Sequence, residues 1–480
     1  MDLTEPQRAV RDAVLAELEG SFGGELITED STGYDQARTL WNAVIDKRPA
    51  LIARCTNTED VVAVVNAARV HDALLSVRGG GHGVVGKALA DDGVTLDLGL
   101  MNGVTVDTER KLVHVQGGCR LGDVDAATSE HGLAVPAGIV ADTGVGGLTL
   151  GGGAGWLSRK YGLTSDNVVS FEAVTASGDV LEVSATEHPD LIWALHGGGG
   201  NFGVVTRFTF RAYAFGPDVR FGAALYTADT AAVALRAYAD IYPTLPYEVG
   251  WHVTMKQSMP PLPFVPDELV GKRLVMIFCL WAADVDDAEG TETIKRLVGT
   301  GDPVVNTVAA IPFGLGLQRF LDAEYSDGLR NYTNEAHLTE LSDDVIEALL
   351  DFWEVELAGP ESSIGGEPTI YGLGGAVQDV PEAATAFSHS ESVWWVNYAC
   401  HWKDARDDER NMAAIRSSCR DLTPWLGAGI YVNMLNVDEL DRVVEAYGGP
   451  ETYARLGVVK AKYDPGNLFR VNHNIVPSTA

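Results

Sequence analysis

Three glycines and a histidine follow a β-like run at Ser76-Val77-Arg78-Gly79-Gly80-Gly81-His82-Gly83. Glycine reaches positive φ and carries no side chain, so the backbone N–H groups of such a loop can close on a ligand. A phosphate or pyrophosphate suits it. One imidazole, His82, stands at the tip beside whatever the loop holds. Two more glycine segments lie downstream. Pro136-Ala137-Gly138 continues through Gly144-Val145-Gly146-Gly147 to Gly151-Gly152-Gly153-Ala154-Gly155. The other runs Gly197-Gly198-Gly199-Gly200-Asn201-Phe202-Gly203. A single run is weak evidence, because glycines also mark tight turns. Three runs beside strand and helix signals point to a large ligand held close to the backbone.

A nicotinamide-type site would need a strand, then G-x-G-x-x-G opening a helix. Gly144-x-Gly146 follows no convincing strand, and the next helix is expected only near Trp156, so that site is disfavoured. Residues 79–203 hold roughly half of the chain's 53 glycines. So dense a glycine backbone favours close approach to a ligand over stability.

These segments must be positioned by regular elements. Apolar spacing predicts a helix over 5–19, a strand over 51–54, a helix over 59–71 and a strand over 74–78 leading into the glycine loop. Strands are expected over 94–98, 112–116 and 204–210, a helix over 120–131, and a hairpin from 168–176 and 180–183. After Tyr213 the elements lengthen and glycines thin out. Strands over 273–281 and 393–402 and helices over 342–357 and 404–420 indicate an α+β second domain. The last segment, 447–477, reads as polar and loop-rich, and Phe469 and Ile475 imply that it packs back on the first domain.

Composition narrows the function. At 480 residues, two or three lobes are expected. A net charge of −32 argues against nucleic-acid binding. No apolar run is long enough to span a membrane, and the N-terminus lacks a secretory pattern. Five scattered cysteines without a C-x-x-C imply reduced thiols, a cytoplasmic setting and no zinc site. No H-E-x-x-H pair is present, so no metal is expected.

The glycine segments, with Trp156-Leu157-Ser158-Arg159-Lys160-Tyr161-Gly162-Leu163 and Val204-Val205-Thr206, resemble the FAD-binding (PCMH-type) domain of the vanillyl-alcohol-oxidase superfamily. The tail Lys462-Tyr463-Asp464-Pro465-Gly466-Asn467-Leu468-Phe469-Arg470-Val471-Asn472-His473-Asn474-Ile475 resembles the C-terminal signature of its berberine-bridge-enzyme-like branch. The resemblance implies an α+β fold. A two-lobed FAD-binding domain (1–215) would precede a substrate domain with an antiparallel sheet (216–424), and a C-terminal segment (425–480) would return to the FAD domain.

The resemblance also implies residue roles. His82 would be bonded covalently to the flavin 8α-methyl carbon, a neutral imidazole being a competent nucleophile. Some members add a cysteinyl bond two residues after Pro-Ala-Gly. Here that position is Val140, so one attachment is expected. Cys119 lies in a different segment and reads as a small buried thiol. The FAD would be held by Arg78, Gly79, Gly80, Gly81, Gly83, Pro136, Ala137, Gly138, Gly144, Gly146, Gly147, Gly151, Gly153, Gly155, Gly200, Asn201, Gly203, Val205, Asn472 and Asn474. Thr143 would sit beside the flavin C4a–N5 edge and admit or exclude oxygen; a turn hydroxyl is the equal alternative. Tyr431-Val432-Asn433 resembles a strand whose Tyr431 and Asn433 share one face, with Tyr431 removing a substrate proton. Relatives carry glutamine at His473, Tyr-Trp-Lys at Tyr332-Thr333-Asn334, and His-Arg at His389-Ser390. Tyr325, Tyr371, Trp395 and Tyr398 either line a pocket or fill the core.

The implied activity is that of an FAD-dependent oxidase. It would take hydride from an alcohol or amine carbon of a sugar, an oligosaccharide or a secondary metabolite, with O2 as acceptor and H2O2 as product. A dehydrogenase with another acceptor, an oxygenating flavoenzyme and a flavin-binding protein without turnover are the alternatives. The expected partners are a small-molecule substrate and O2, in a monomer or homodimer, with neither nucleic acid nor membrane.

Overall fold

The computed structural model describes residues 4–355, 357, 363–389 and 391–478. Its fold is α+β, with helices packed on one mixed and two antiparallel sheets. In the first sheet, Leu51–Arg54, Val94–Asp97 and Leu75–Arg78 pair in parallel, and Glu25–Ile27 adds an antiparallel edge. Helices Glu5–Leu18 and Thr58–Val70 contribute Val14, Leu18, Val61, Val64 and Val65 to the core they share with it. The Asn57 side chain caps the second helix by accepting the Asp60 N–H. Asp60, expected from its position to favour the helix dipole, is buried and also accepts the N–H groups of Gly23 and Thr56.

The second sheet runs Val104–Asp107, Leu112–Gln116, Val204–Arg211, Val168–Val174 and Val180–Ser184, all antiparallel. The third has seven antiparallel strands in the order Val305–Pro312, Asp218–Thr227, Leu274–Trp281, Val249–Lys256, Ser363–Gly372, Trp394–Trp402 and Arg330–Leu338.

Strand periodicity gives the central part of the third sheet two unlike faces. Val253, Ile277, Ile370, Val396 and Ala336 share an apolar core with helices Ala228–Ile241, Ala288–Val298, Asp343–Glu354 and Asp408–Asp421. The alternate positions are polar: Thr254, Lys256, Glu367, Thr369, Asn397, His401, Asn331, Thr333 and Glu335 are all buried. Buried polar groups in this number need partners or a ligand.

Three expectations are corrected. Residues 447–477 are not mainly loop, because Gly449–Tyr463 is a helix that buries Leu456, Val459, Lys460 and Tyr463. A Gly-Gly-Pro-Glu start hides it in the sequence. A short helix, Val145–Leu150, begins directly at Gly144, well before Trp156, but no strand leads into it. Residues 432–434 form a 3-10 turn, not a strand. After the last helix the tail does return to the glycine-rich sheets. The fully buried Lys460 ammonium donates to the carbonyls of Asn201 (2.6 Å) and Phe469 (2.8 Å) and to Asp464 (2.7 Å).

Candidate active site

A cavity of about 400 Å3 lies between the glycine segments and the polar face of the seven-stranded sheet. Of the residues expected around a cofactor, Gly79, Gly80, Gly81, His82, Gly83, Gly138, Thr143, Gly144, Gly146, Gly147, Gly200, Gly203, Val205 and Asn472 line it, with Tyr431 and Asn433. The segments meet without room for side chains. A Cβ on Gly80 would stand 2.4 Å from Gly144 Cα, and one on Gly117 2.4 Å from the Val205 carbonyl oxygen. Gly81, with φ of 72°, turns the chain into His82.

The other expected residues act from outside the cavity. The Arg78 guanidinium turns away and donates to the carbonyls of Ala37 and Thr39. A Cβ on Gly151 would collide with the Asn433 amide, one on Gly153 with Thr164, and one on Gly155 with the Ala137 carbonyl 1.8 Å away. Pro136 and Ala137 belong to that packing layer. Asn201 is fully buried and ties the tail: its amide donates to Gly198 O and Tyr447 Oη, and its carbonyl accepts the Ile475 N–H. Asn474 sits in the same tail, and its carbonyl accepts the Tyr453 hydroxyl.

His82 is neutral at physiological pH, because burial and the Arg120 charge push its pKa down to about 4. Its Nε2 is buried without a partner among the described residues, as are Asn472 Oδ1 and His473 Nδ1. Unpaired buried polar atoms around a glycine-lined cavity fit a ligand rich in donors and acceptors, and FAD meets that requirement. Val140 lines the cavity where a second bond would need a thiol. Cys119 is buried elsewhere, and burial raises its thiol to about 12, so no second thioether is available.

Tyr431 and Asn433 come together despite the turn. The Tyr431 phenol oxygen accepts the Gly153 N–H at 3.0 Å and the Asn433 amide at 2.9 Å, and Asn433 also donates to Leu148 O. Burial pushes the phenol above its ordinary pKa, while these two donors pull it down.

Tyr325, Tyr371 and Trp395 line the cavity, whereas Tyr398 points to the opposite face, edge-on to Phe352. His473 lines it, with its pKa lowered to about 4 by burial and the nearby Lys87. His389 does not line it: its Nδ1 is bonded to Val377 O, with Asp166 at 3.4 Å from Nε2. Ser390 lies outside the described residues. Sequence reasoning missed Trp41, Lys87, Asn397, His401 and Glu335. Glu335 is a buried carboxylate whose one named polar partner is His337 at 3.1 Å. Period-2 polarity in the strand Arg330–Leu338 was the only signal for it.

Behind Tyr325, Lys256 holds Glu324 at 2.6 Å and Glu367 at 2.5 Å. Two carboxylates around one buried ammonium keep the lysine charged, while burial and Glu324 raise Glu367. Among the described residues no group of side chains could hold a metal ion, and no helix is long and apolar enough to cross a membrane.

Comparison with known proteins gives two family models. One described as an FAD binding domain matches residues 49–184, and one described as berberine and berberine like matches residues 430–476. An FAD-linked oxidoreductase of Dictyostelium discoideum is 31% identical over 98% of this chain and 98% of its own. The crystal structure of 6-hydroxy-D-nicotine oxidase from Arthrobacter nicotinovorans is 29% identical, with a TM-score of 0.82 over 95% of this chain and 99% of that one. Glucooligosaccharide oxidase from Acremonium strictum, with a 6-S-cysteinyl, 8α-N1-histidyl FAD, shares the fold at 24% identity and a TM-score of 0.83, over 98% of this chain and 100% of that one.

Proposed function

The chain belongs to the berberine-bridge-enzyme-like FAD-linked oxidoreductases, and from that premise we propose that it is an oxidase acting on an alcohol or amine carbon of a small molecule. In this reading residues 1–215 and 425–480 hold the FAD and residues 216–424 present the substrate. The cofactor is attached once, through His82. When bound, FAD accepts a hydride from the substrate carbon, and O2 then takes the two electrons and two protons to give H2O2.

The observation that carries the proposal is the Tyr431 hydroxyl, held by two N–H donors on the wall between the glycine segments and the sheet. Gly153 and Asn433 occupy the acceptor side of the phenol oxygen, so its proton faces elsewhere. Tyr431 exchanges a proton with the substrate O–H or N–H, and the two donors stabilise charge that develops on the phenol oxygen. Thr143 borders the same cavity and controls access to it. Glu335 favours the amine: a buried carboxylate is stabilised by a cationic partner, and a protonated substrate nitrogen provides one. Asn397 and Thr333, bonded to each other at 2.9 Å, orient the remaining polar groups.

The test is oxygen uptake by the purified protein with a panel of cyclic amines and of oligosaccharides. Peroxide matching oxygen consumed, with amines preferred, is the expected result. Turnover only with an artificial acceptor would make the protein a dehydrogenase, and labelled oxygen in the product would make it an oxygenating enzyme.

A further inference from the structure

We infer that Trp41 is the positioning residue for attachment of the flavin at His82. The inference rests on the single His82 attachment proposed above and adds a residue outside the glycine loop on which that attachment depends. The Trp41 indole lies face to face with the His82 imidazole, with ring centroids 4.1 Å apart and planes inclined by 15°. A histidine after three glycines has little local restraint on its side chain, since the loop offers no neighbouring side chain to limit rotation. The stacked indole covers one imidazole face and leaves the nitrogen edge free, which is the geometry an in-plane lone pair needs to reach a carbon.

Trp41 is itself held from every side. Its Nε1–H donates to the Tyr325 carbonyl at 2.6 Å, and its backbone N–H donates to the Gly81 carbonyl at 3.4 Å. The edge of His401 and the ring of Tyr325 pack near the indole. Residues on both flanks are tied to the two ends of the glycine loop. Arg78, which begins that loop, donates to the carbonyls of Ala37 and Thr39, and Asn42 donates to the Val84 carbonyl just beyond it. Asn42 also donates to Asn331 O on the seven-stranded sheet. This gives the Arg78 side chain a use although it faces away from the cavity: it fixes the segment that carries the indole.

The step balances as follows. A bond forms between an imidazole nitrogen and the flavin 8α carbon. One methyl C–H bond breaks, and its proton and the imidazole N–H proton leave. The electron pair passes to the isoalloxazine ring, and dioxygen takes it with the two protons as H2O2.

The full-length protein and its W41F, W41L and H82A variants are purified with their bound FAD and kept in air. Total FAD and the fraction that stays with acid-precipitated protein are followed with time. W41L is expected to bind FAD in near-stoichiometric amount but to attach it at least tenfold more slowly than wild type. W41F, which keeps a flat ring, should attach it within about threefold of wild type. Equal attachment rates in W41L and wild type would overturn the inference. So would loss of all FAD from both Trp41 variants, which would make the residue structural. Free FAD from the wild type, or attached FAD in H82A, would remove the His82 attachment itself and this inference with it.

Discussion

One wall of the cavity is made of backbone and the wall facing it of side chains. On the glycine wall, segments 79–83, 144–147 and 199–203 approach one another closely enough that a Cβ on Gly80, Gly144 or Gly203 would strike neighbouring backbone at 2.4 to 2.6 Å. Nothing there depends on a side chain except His82 and the groups that brace it. On the sheet wall, the geometry is set by strand pairing, and the chemistry is set by residues such as Glu335, Asn397 and Thr333 that alternate with an apolar core. The first wall therefore recognises a cofactor common to a family. The second can be rewritten for a new substrate at two-residue intervals without disturbing the helices behind it. This difference is visible in His473 and in Tyr332-Thr333-Asn334, which depart from the pattern of relatives while the glycine segments keep it.

The two walls should fail in different ways. The largest effect is expected from Gly80→Ala, whose added carbon would meet the backbone of Gly144. Overpacking against backbone costs about 3 kcal/mol, and the variant should yield protein with little or no flavin absorbance and a lowered melting temperature. Retention of stoichiometric FAD would show that the backbone wall can yield. Tyr431→Phe, at the junction of the walls, should keep FAD and fold but lower kcat by about 10²–10⁴. An unchanged kcat would assign Tyr431 to packing.

A third prediction addresses the seam. Gln318, from the loop after the strand Val305–Pro312, donates to Gly138 O at 3.1 Å and faces Asp125 across the glycine wall. Burial raises Asp125 from 3.8 to about 7. Between those values the folded chain keeps a proton that the unfolded chain has released, so the folded state loses stability as pH rises through that window. Asp125→Asn removes the term. The variant should gain on the order of 2 kcal/mol over wild type at pH 8 and little at pH 4, as read from paired thermal melts. A gain independent of pH would assign the effect to packing. The smallest effect belongs to the sheet wall alone. Glu335→Gln should leave FAD content and melting temperature unchanged and lower kcat/KM for an amine substrate by about tenfold, with less effect on a neutral alcohol. Equal losses on both would remove the cation preference.

Much of the glycine wall was legible because its signal is contiguous. Three short segments, each interpretable in isolation, carry the close approach that only glycine permits. The elements that present them were legible too, through apolar periodicity: the helix Thr58–Val70, the strand Leu75–Arg78 and the hairpin Val168–Val174 with Val180–Ser184 fall within a residue or two of expectation. The helix Gly449–Tyr463 was not, since glycine and proline at its start resemble a loop and its buried side includes a lysine that only Asp464 and distant carbonyls can satisfy. Tyr431 and Asn433 were paired for the wrong local reason. A strand would place them on one face, but a 3-10 turn brings them together and the Gly153 N–H fixes the phenol.

The sequence by itself determined the cofactor wall, the lone imidazole at its centre and the absence of a thiol at Val140. Each is a property of a residue type at a position. Tertiary structure alone decided which polar residues face that imidazole. Glu335, Asn397 and His401 lie on two strands separated by tens of residues, and each is flanked by residues that point the opposite way. Trp41 is further still from its strand neighbours, 41 residues before His82 and carried by a segment that Arg78 holds from the other side. Backbone geometry is a local property that a short segment can encode. A shared face exists only once strand register and the packing of one wall against another have been set.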